Sequence, residues 1–222
     1  MSSSFTLKGV FTKKYEENAG ENKQSTSGIG SEKEFTERLR KWLDHVIEAH
    51  NIHSIVDAPC GDFNWMQHFT EHKDIHYYGV DIVEALIERN KEKFPSKNIS
   101  FQCNDICEDP LPDCDLLIVR DLLIHLSFKD IGKFLTNLSS ANYKYLAINT
   151  YTEHNNVANK NIVSGAFRKV NVFDWPLNFD PSTALDEVKD YPDGYRLPRE
   201  MVLFAKKDVP KKLDYSQHNN SM

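Results

Sequence analysis

Five short apolar runs alternate with stretches of helical spacing, and each run ends in polar or acidic residues. Ile52–Asp57 (IHSIVD), His76–Asp81 (HYYGVD), Ile99–Cys103, Asp115–Arg120 (DLLIVR) and Tyr145–Thr150 (YLAINT) read as strands. Before the first strand, Phe35, Leu39, Trp42, Leu43, Val46 and Ile47 fall at helical spacing behind a Ser31/Glu34 capping-box pattern, so a helix is expected over 32–50. Asp62 is placed to cap a short helix running to about Phe69, and Ile82–Phe94 reads as another helix. Ser127 and Asp130 cap a third, which carries Ile131, Phe134, Leu135 and Leu138. Short apolar strands separated by helices imply a sheet covered on both sides. The expected fold class is therefore α/β: one domain built on a doubly wound, mostly parallel sheet with helices on both faces.

The chain has 222 residues, enough for one such domain. Residues 1–31 read as a polar leader containing Phe5, Phe11 and Tyr15, closed by the loop Ser25–Ser31 (STSGIGS). The domain proper is placed at 32–208. Residues 151–183 have no clear period but carry Phe167, Phe173, Trp175 and Phe179, the pattern of a packed loop or lid. Thr183–Val188 and Arg199–Lys206 are further strand candidates with a turn at Asp193-Gly194, and 209–222 reads as a solvated tail.

Composition narrows the function. Net charge is −6 and pI about 5.8, with Lys and Arg dispersed, which disfavours duplex DNA or long RNA as a partner. Cys60, Cys103, Cys107 and Cys114 form no CxxC pair and the nine histidines form no HExxH, so reduced thiols and no metal are expected. No run of about 18 apolar residues exists, and the first residues lack the apolar core of a signal peptide. No membrane span and a cytoplasmic location are expected.

In a doubly wound sheet, ligands sit at the carboxyl ends of the strands, where strand order switches. Four segments occupy such ends. Asp57-Ala58-Pro59-Cys60-Gly61-Asp62 follows the first strand; its single glycine does not supply the GxGxxG of a dinucleotide site, and its flanking acids suit a ligand with positive charge, such as an ammonium or sulfonium group. Asp81 ends the second strand, 20 residues past Gly61, where a carboxylate can accept both ribose hydroxyls or cap the helix after it. Asn104-Asp105-Ile106 follows the third strand; Asp105 can take an adenine amino group while Ile106 and Ile82 pack on the ring. Arg120-Asp121-Leu122-Leu123-Ile124-His125 follows the fourth and sets polar groups in an apolar run, with His125 either a general base or a core histidine bonded to backbone.

DAPCGD (57–62), GVD (79–81), NDI (104–106) and RDLLIHLS (120–127), in that order, resemble class I S-adenosylmethionine-dependent methyltransferases over about residues 50–206. SGIGS (27–31), CGDFNWM (60–66), RDLLIHLS and NIVSGAFRKVNV (161–172) further resemble one bacterial group of these enzymes, with Phe167 standing where tryptophan is common. The resemblance implies a methyltransferase of class EC 2.1.1 using S-adenosyl-L-methionine and releasing S-adenosyl-L-homocysteine. It implies cofactor roles for Asp57, Ala58, Pro59, Cys60, Gly61, Asp62, Asp81, Ile82, Asn104, Asp105 and Ile106, with Arg120 or Asp121 near the methionine end. Ser27, Gly28, Gly30 and Ser31 would cover cofactor or acceptor, and Trp65, Ser164, Arg168 and Trp175 would belong to the acceptor pocket or lid.

Methyl transfer to a hydroxyl needs alignment of the acceptor and removal of a proton. His125 is the expected base, helped by Asp121. RDLL stands where DNA amino-methyltransferases carry (Asn/Asp)-Pro-Pro-(Tyr/Phe), and no cysteine stands there for cytosine carbon-5 chemistry. The reading is O-methylation of a small molecule or sugar, such as a cell-surface glycan precursor. A protein or RNA methyltransferase and a non-catalytic cofactor-binding protein are the alternatives.

Overall fold

The computed structural model describes residues 6–18, 24–71, 73–152, 159–195 and 198–216. Five parallel strands form its centre: β1 (Ser54–Asp57), β2 (His76–Asp81), β3 (Ile99–Cys103), β4 (Leu116–Val119) and β5 (Tyr145–Thr150). A closing hairpin, β6 (Asp186–Lys189) and β7 (Glu200–Ala205), completes a seven-stranded sheet of order β3-β2-β1-β4-β5-β7-β6. β7 runs antiparallel to both β5 and β6. Strand order therefore reverses between β1 and β4, which lie in parallel register with Val56 opposite Leu117. The crevice of a doubly wound sheet opens at that reversal.

Helices cover both faces. α2 (Glu37–His50), α3 (Met66–Thr70) and α4 (Glu84–Lys93) bury Leu39, Leu43, Val46, Met66 and Ile87 against Ile55, Tyr77 and Leu203. On the other face α5 (Phe128–Ser140) packs Ile131, Phe134, Leu135 and Leu138 against Val56, Phe179 and Phe204. Each such aliphatic or phenyl side chain, fully buried, contributes about 1.5–3 kcal/mol. The Ser127 cap of α5 forms as expected, its Oγ accepting from the Asp130 amide.

Several boundaries differ from the sequence reading. α2 begins at Glu37 rather than 32, because 32–36 are turns and no side chain caps the helix. The Ser31/Glu34 box is not formed. α4 starts at Glu84 and α3 at Met66, with Asp62 engaged elsewhere. The leader is not loose throughout: Leu7–Asn18 forms helix α1, whose Leu7 and Phe11 pack on the α5-side core. Residues 159–183 contain no strand but are packed, with Val170, Val172, Leu177 and Phe179 buried. The expected tail is anchored at its start: Val209 and Leu213 are buried, and the Asp214 amide donates to the Pro176 carbonyl at 2.8 Å. Phe5 and residues 217–222 lie outside the described residues. Among the described residues no helix is long and apolar enough to cross a membrane.

Leu213→Ala is expected to lower the unfolding free energy by about 2 kcal/mol or more in urea denaturation, as for a core leucine. A change within about 0.5 kcal/mol, the usual effect of a surface substitution, would return this segment to a solvated tail.

Candidate functional site

The turn after β1 is fastened to both neighbouring strands. The Ala58 amide donates to Ile118 O at 3.0 Å and the Cys60 amide to Val80 O at 2.8 Å. Gly61 then adopts φ +54°, and a Cβ there would lie 2.3 Å from Ser27 Oγ, so glycine is required both by conformation and by the loop above it. Asp81 at the end of β2 ties the turn to the next helix: one oxygen accepts from the Gly61 amide at 3.1 Å, the other from the Val83 amide at 3.0 Å. It holds the turn that leads into α4 and still has lone pairs for a ligand. Burial raises its pKa against the pull of these backbone donors.

Asp57 ends β1 and accepts from the Tyr77 hydroxyl at 2.8 Å. Burial pushes its pKa up to about 7, opposed by the Tyr77 hydrogen bond and the Arg120 charge. Asp105, after β3, accepts from the Cys107 amide at 2.9 Å and is also raised by burial. The Asn104 amide donates to Asp81 O at 3.0 Å, which sets the third loop against the second. Three carboxylates thus stand in a row along the carboxyl ends of adjacent strands.

They border a cavity of about 240 Å³ at the sheet reversal. From the β1 turn come Asp57, Pro59, Cys60 and Gly61; from the β2 and β3 ends come Asp81, Ile82, Asn104, Asp105 and Ile106. Trp65, Ser27 and Ser31 border it too, as do Arg120, Asp121 and His125 after β4. Helix α1 covers the cavity with Leu7, Phe11, Lys14 and Tyr15, four residues the sequence reading did not assign to the site.

The far end is held by a buried ion network. Asp190 is completely buried and accepts from Arg120 Nε at 2.8 Å and Arg199 Nε at 2.8 Å. Arg120 Nη2 also donates to Gly30 O at 2.7 Å, and its guanidinium lies 5.5 Å from the Trp65 ring centre. Arg199 Nη1 donates to both oxygens of Asp121 at 2.6 and 2.8 Å. Burial disfavours the charges of both partners, but Arg199 and Arg120 outweigh it and hold the Asp121 pKa down, while Asp190 and Asp121 raise that of Arg199. Asp121 has φ +60° and is fixed by Asn149, whose Oδ1 accepts from the Asp121 amide at 2.9 Å.

His125 stands apart from this network. Its Nδ1 is 2.8 Å from Ala166 O, an acceptor only, so Nδ1 carries the proton of the neutral ring and Nε2 keeps its lone pair. Burial lowers its pKa. No hydrogen bond joins it to Asp121; the expected help from Asp121 reduces to its charge, because the carboxylate is taken by Arg199.

Seven predicted residues lie outside the cavity lining. Asp62 neither lines it nor caps α3; its carboxylate accepts from Ser25 Oγ at 2.9 and 3.0 Å and from the Thr26 amide at 2.7 Å, so it holds the leader loop in place. Ala58 is buried behind the turn. Ser164 accepts from the Ser127 amide at 2.8 Å and donates to Asp130 at 2.5 Å, and Arg168 donates to Leu123 O at 2.6 Å, fastening the 159–172 loop to the α5 entry. Trp175 packs edge-on against Phe128, with ring centres 5.8 Å apart. Gly28, at φ +96°, shapes the leader loop rather than facing the cavity. Gly30, the remaining loop glycine, contributes its carbonyl to Arg120. Asp190 and Arg199 were not found by sequence reasoning, since no local pattern pairs either with Arg120. α1 did leave a signal: Leu7, Phe11 and Tyr15 are spaced by four.

A family model described as a methyltransferase domain matches residues 55–142. No curated protein sequence matches the chain. Among solved structures, the chain is similar to Burkholderia thailandensis 1,6-didemethyltoxoflavin-N1-methyltransferase, at TM-score 0.65 and 13% identity over 90% of this chain and 86% of that one. It is also similar to magnesium protoporphyrin IX methyltransferase from Synechocystis PCC 6803, at TM-score 0.62 and 13% identity over 92% and 99%. Human N-acetylserotonin methyltransferase matches at TM-score 0.53 and 14% identity over 69% of this chain, which spans only 47% of that longer protein. The fold is the Rossmann-like fold of class I methyltransferases.

Asp190→Asn should destabilise the protein by about 3–5 kcal/mol, the cost of stripping the counter-charge from buried ions, read by urea denaturation. A loss under about 1 kcal/mol, the range of an exposed pair, would show that the network does not hold this edge.

Proposed function

We propose that the chain is an S-adenosylmethionine-dependent methyltransferase that O-methylates a small molecule or sugar. The observation that carries this is the row of carboxylates Asp57, Asp81 and Asp105 along the cavity that also takes in His125. The donor set fits the cofactor: Asp81 has lone pairs for ribose hydroxyls, Asp105 for an adenine amino group, and Ile82 and Ile106 offer apolar faces to its ring. Asp57, with a pKa of about 7, gains by ionising next to a cationic ammonium or sulfonium. When bound, the cofactor supplies an activated methyl group.

The remaining work falls to this chain's own groups. Nε2 of His125 accepts the proton of the acceptor hydroxyl, and the Nδ1–H bond to Ala166 O fixes the ring plane and tautomer for that task. Helix α1 closes the cavity with Leu7, Phe11 and Tyr15, limiting water and favouring a compact acceptor over a polymer.

Calorimetric titration with S-adenosylhomocysteine should show micromolar binding, with NAD as a control that does not bind. Asp81→Ala should weaken it about 10- to 100-fold, the loss of one or two hydrogen bonds to a charged group. Binding that survives Asp81→Ala unchanged would sink the cofactor assignment.

His125→Ala should cut turnover about 10²- to 10⁴-fold, the range for a general base, and leave that titration unchanged. Since burial lowers the His125 pKa, the base is in its active neutral form above that value. In the native enzyme kcat should rise with pH through a midpoint below about 6.5 and then level off; a midpoint above neutrality would contradict the assignment.

A further inference from the structure

The two ends of the cavity differ in charge. Acids occupy the β1–β3 end. Around His125 the unpaired charges are positive. Asp121, the carboxylate bordering this end, is occupied bidentately by Arg199. Lys14 reaches the cavity from α1 and has no ion pair or hydrogen bond among the described residues. Its stem passes Gly165, whose amide donates to His125 O at 2.8 Å and where a Cβ would lie 3.3 Å from Lys14 Cε.

Arg168 is a second cation without an ion pair among the described residues; its guanidinium lies 5.6 Å from the Phe128 ring centre. Its residue is nine-tenths buried, Nη1 donates to Leu123 O at 2.6 Å, and Nε and Nη2 have no partner. No carboxylate offsets it, and burial lowers its pKa to about 10. Its amide donates to Ile124 O at 3.0 Å, so it sits directly behind the His125 turn. Lys14 and Arg168 both press the His125 pKa down, while Asp121 raises it. A buried guanidinium without a counter-charge is costly, and its field favours negative charge at this end. Phe11 and Tyr15 give this end of the cavity apolar surface.

Resting on the methyltransferase reading above, we infer that the acceptor is a small organic anion. Its carboxylate or phosphate lies against Lys14 in the positive field of Arg168, its hydroxyl faces His125, and its carbon skeleton meets Phe11 and Tyr15. Lys14 is then the residue that selects for charge.

Benzoate, phenyl phosphate and neutral benzamide are the probes, each titrated into the full chain with and without S-adenosylhomocysteine while the His125 imidazole resonances are followed by NMR. At least one anion should give a saturable shift, with benzamide at least about tenfold weaker. Lys14→Met, at an exposed position, should weaken the anion about tenfold, the worth of one charge-assisted hydrogen bond. Response to benzoate alone selects a carboxylate, and response to phenyl phosphate alone selects a phosphate. Equal binding of benzamide, an unchanged affinity in Lys14→Met, or no saturable shift with either anion overturns the proposal. The cofactor titration keeps the two readings apart: anion binding without S-adenosylhomocysteine binding sinks the cofactor reading alone, and the reverse sinks this one alone.

Discussion

A single buried carboxylate holds the working edge of this protein together. Asp190 follows β6 and has no solvent exposure, and such a charge is tolerable in the interior only when compensated. Arg120 from the end of β4 and Arg199 from the start of β7 compensate it from two sides. Through Arg120 the same charge reaches Gly30 O and so fixes the leader loop; through Arg199 it reaches Asp121 and so fixes the positive-φ residue from which the His125 segment departs. The antiparallel hairpin, the sheet reversal and the leader are thus one electrostatic unit. Because Asp121 is consumed within it, His125 orients against a backbone carbonyl instead of an acid.

The architecture was largely legible because its signal is periodic. β2, β3 and β5 run as the apolar runs do, and β1 and β4 lose only terminal residues. What failed was local turn chemistry. Ser31 and Glu34 have the right types and spacing for a cap, yet the Thr36 hydroxyl donates to the Glu32 and Lys33 carbonyls and the chain turns before α2 begins. Asp62 has the right type to cap α3, but three donors from Ser25 and Thr26 outcompete the helix for its oxygens. Helix α1 is rich in Lys and Glu, and its few apolar residues find their partners only in the folded domain.

The candidate site divides along the same line. Positions at strand ends follow from sheet topology, so Asp57, Asp81, Asp105 and His125 could be placed in one crevice from the order of the strands. The partners that set their behaviour are distant in sequence. Asp190 lies 70 residues from Arg120 and Arg199 lies 78 from Asp121. Tyr77, which hydrogen-bonds Asp57, reads in sequence as an ordinary strand residue. Ser164, Arg168 and Trp175 belong to a loop that was correctly expected to pack, but packing and lining are different roles, and only contacts with Leu123, Ser127 and Phe128 tell them apart.

The protonation of Asp57 couples the stability of this edge to the charge beside it. An unfolded aspartate titrates near about 3.9, whereas Asp57 in the fold titrates at about 7, because burial penalises its charge more than Tyr77 and Arg120 favour it. A raised folded pKa means that this group's contribution is fully present below the unfolded value and is lost as pH rises from there to about 7. Near neutrality the free protein therefore bears the cost of an incompletely satisfied buried acid. A cation placed beside Asp57 reverses the balance: it favours the ionised form, lowers the pKa and recovers the stability that burial withdrew.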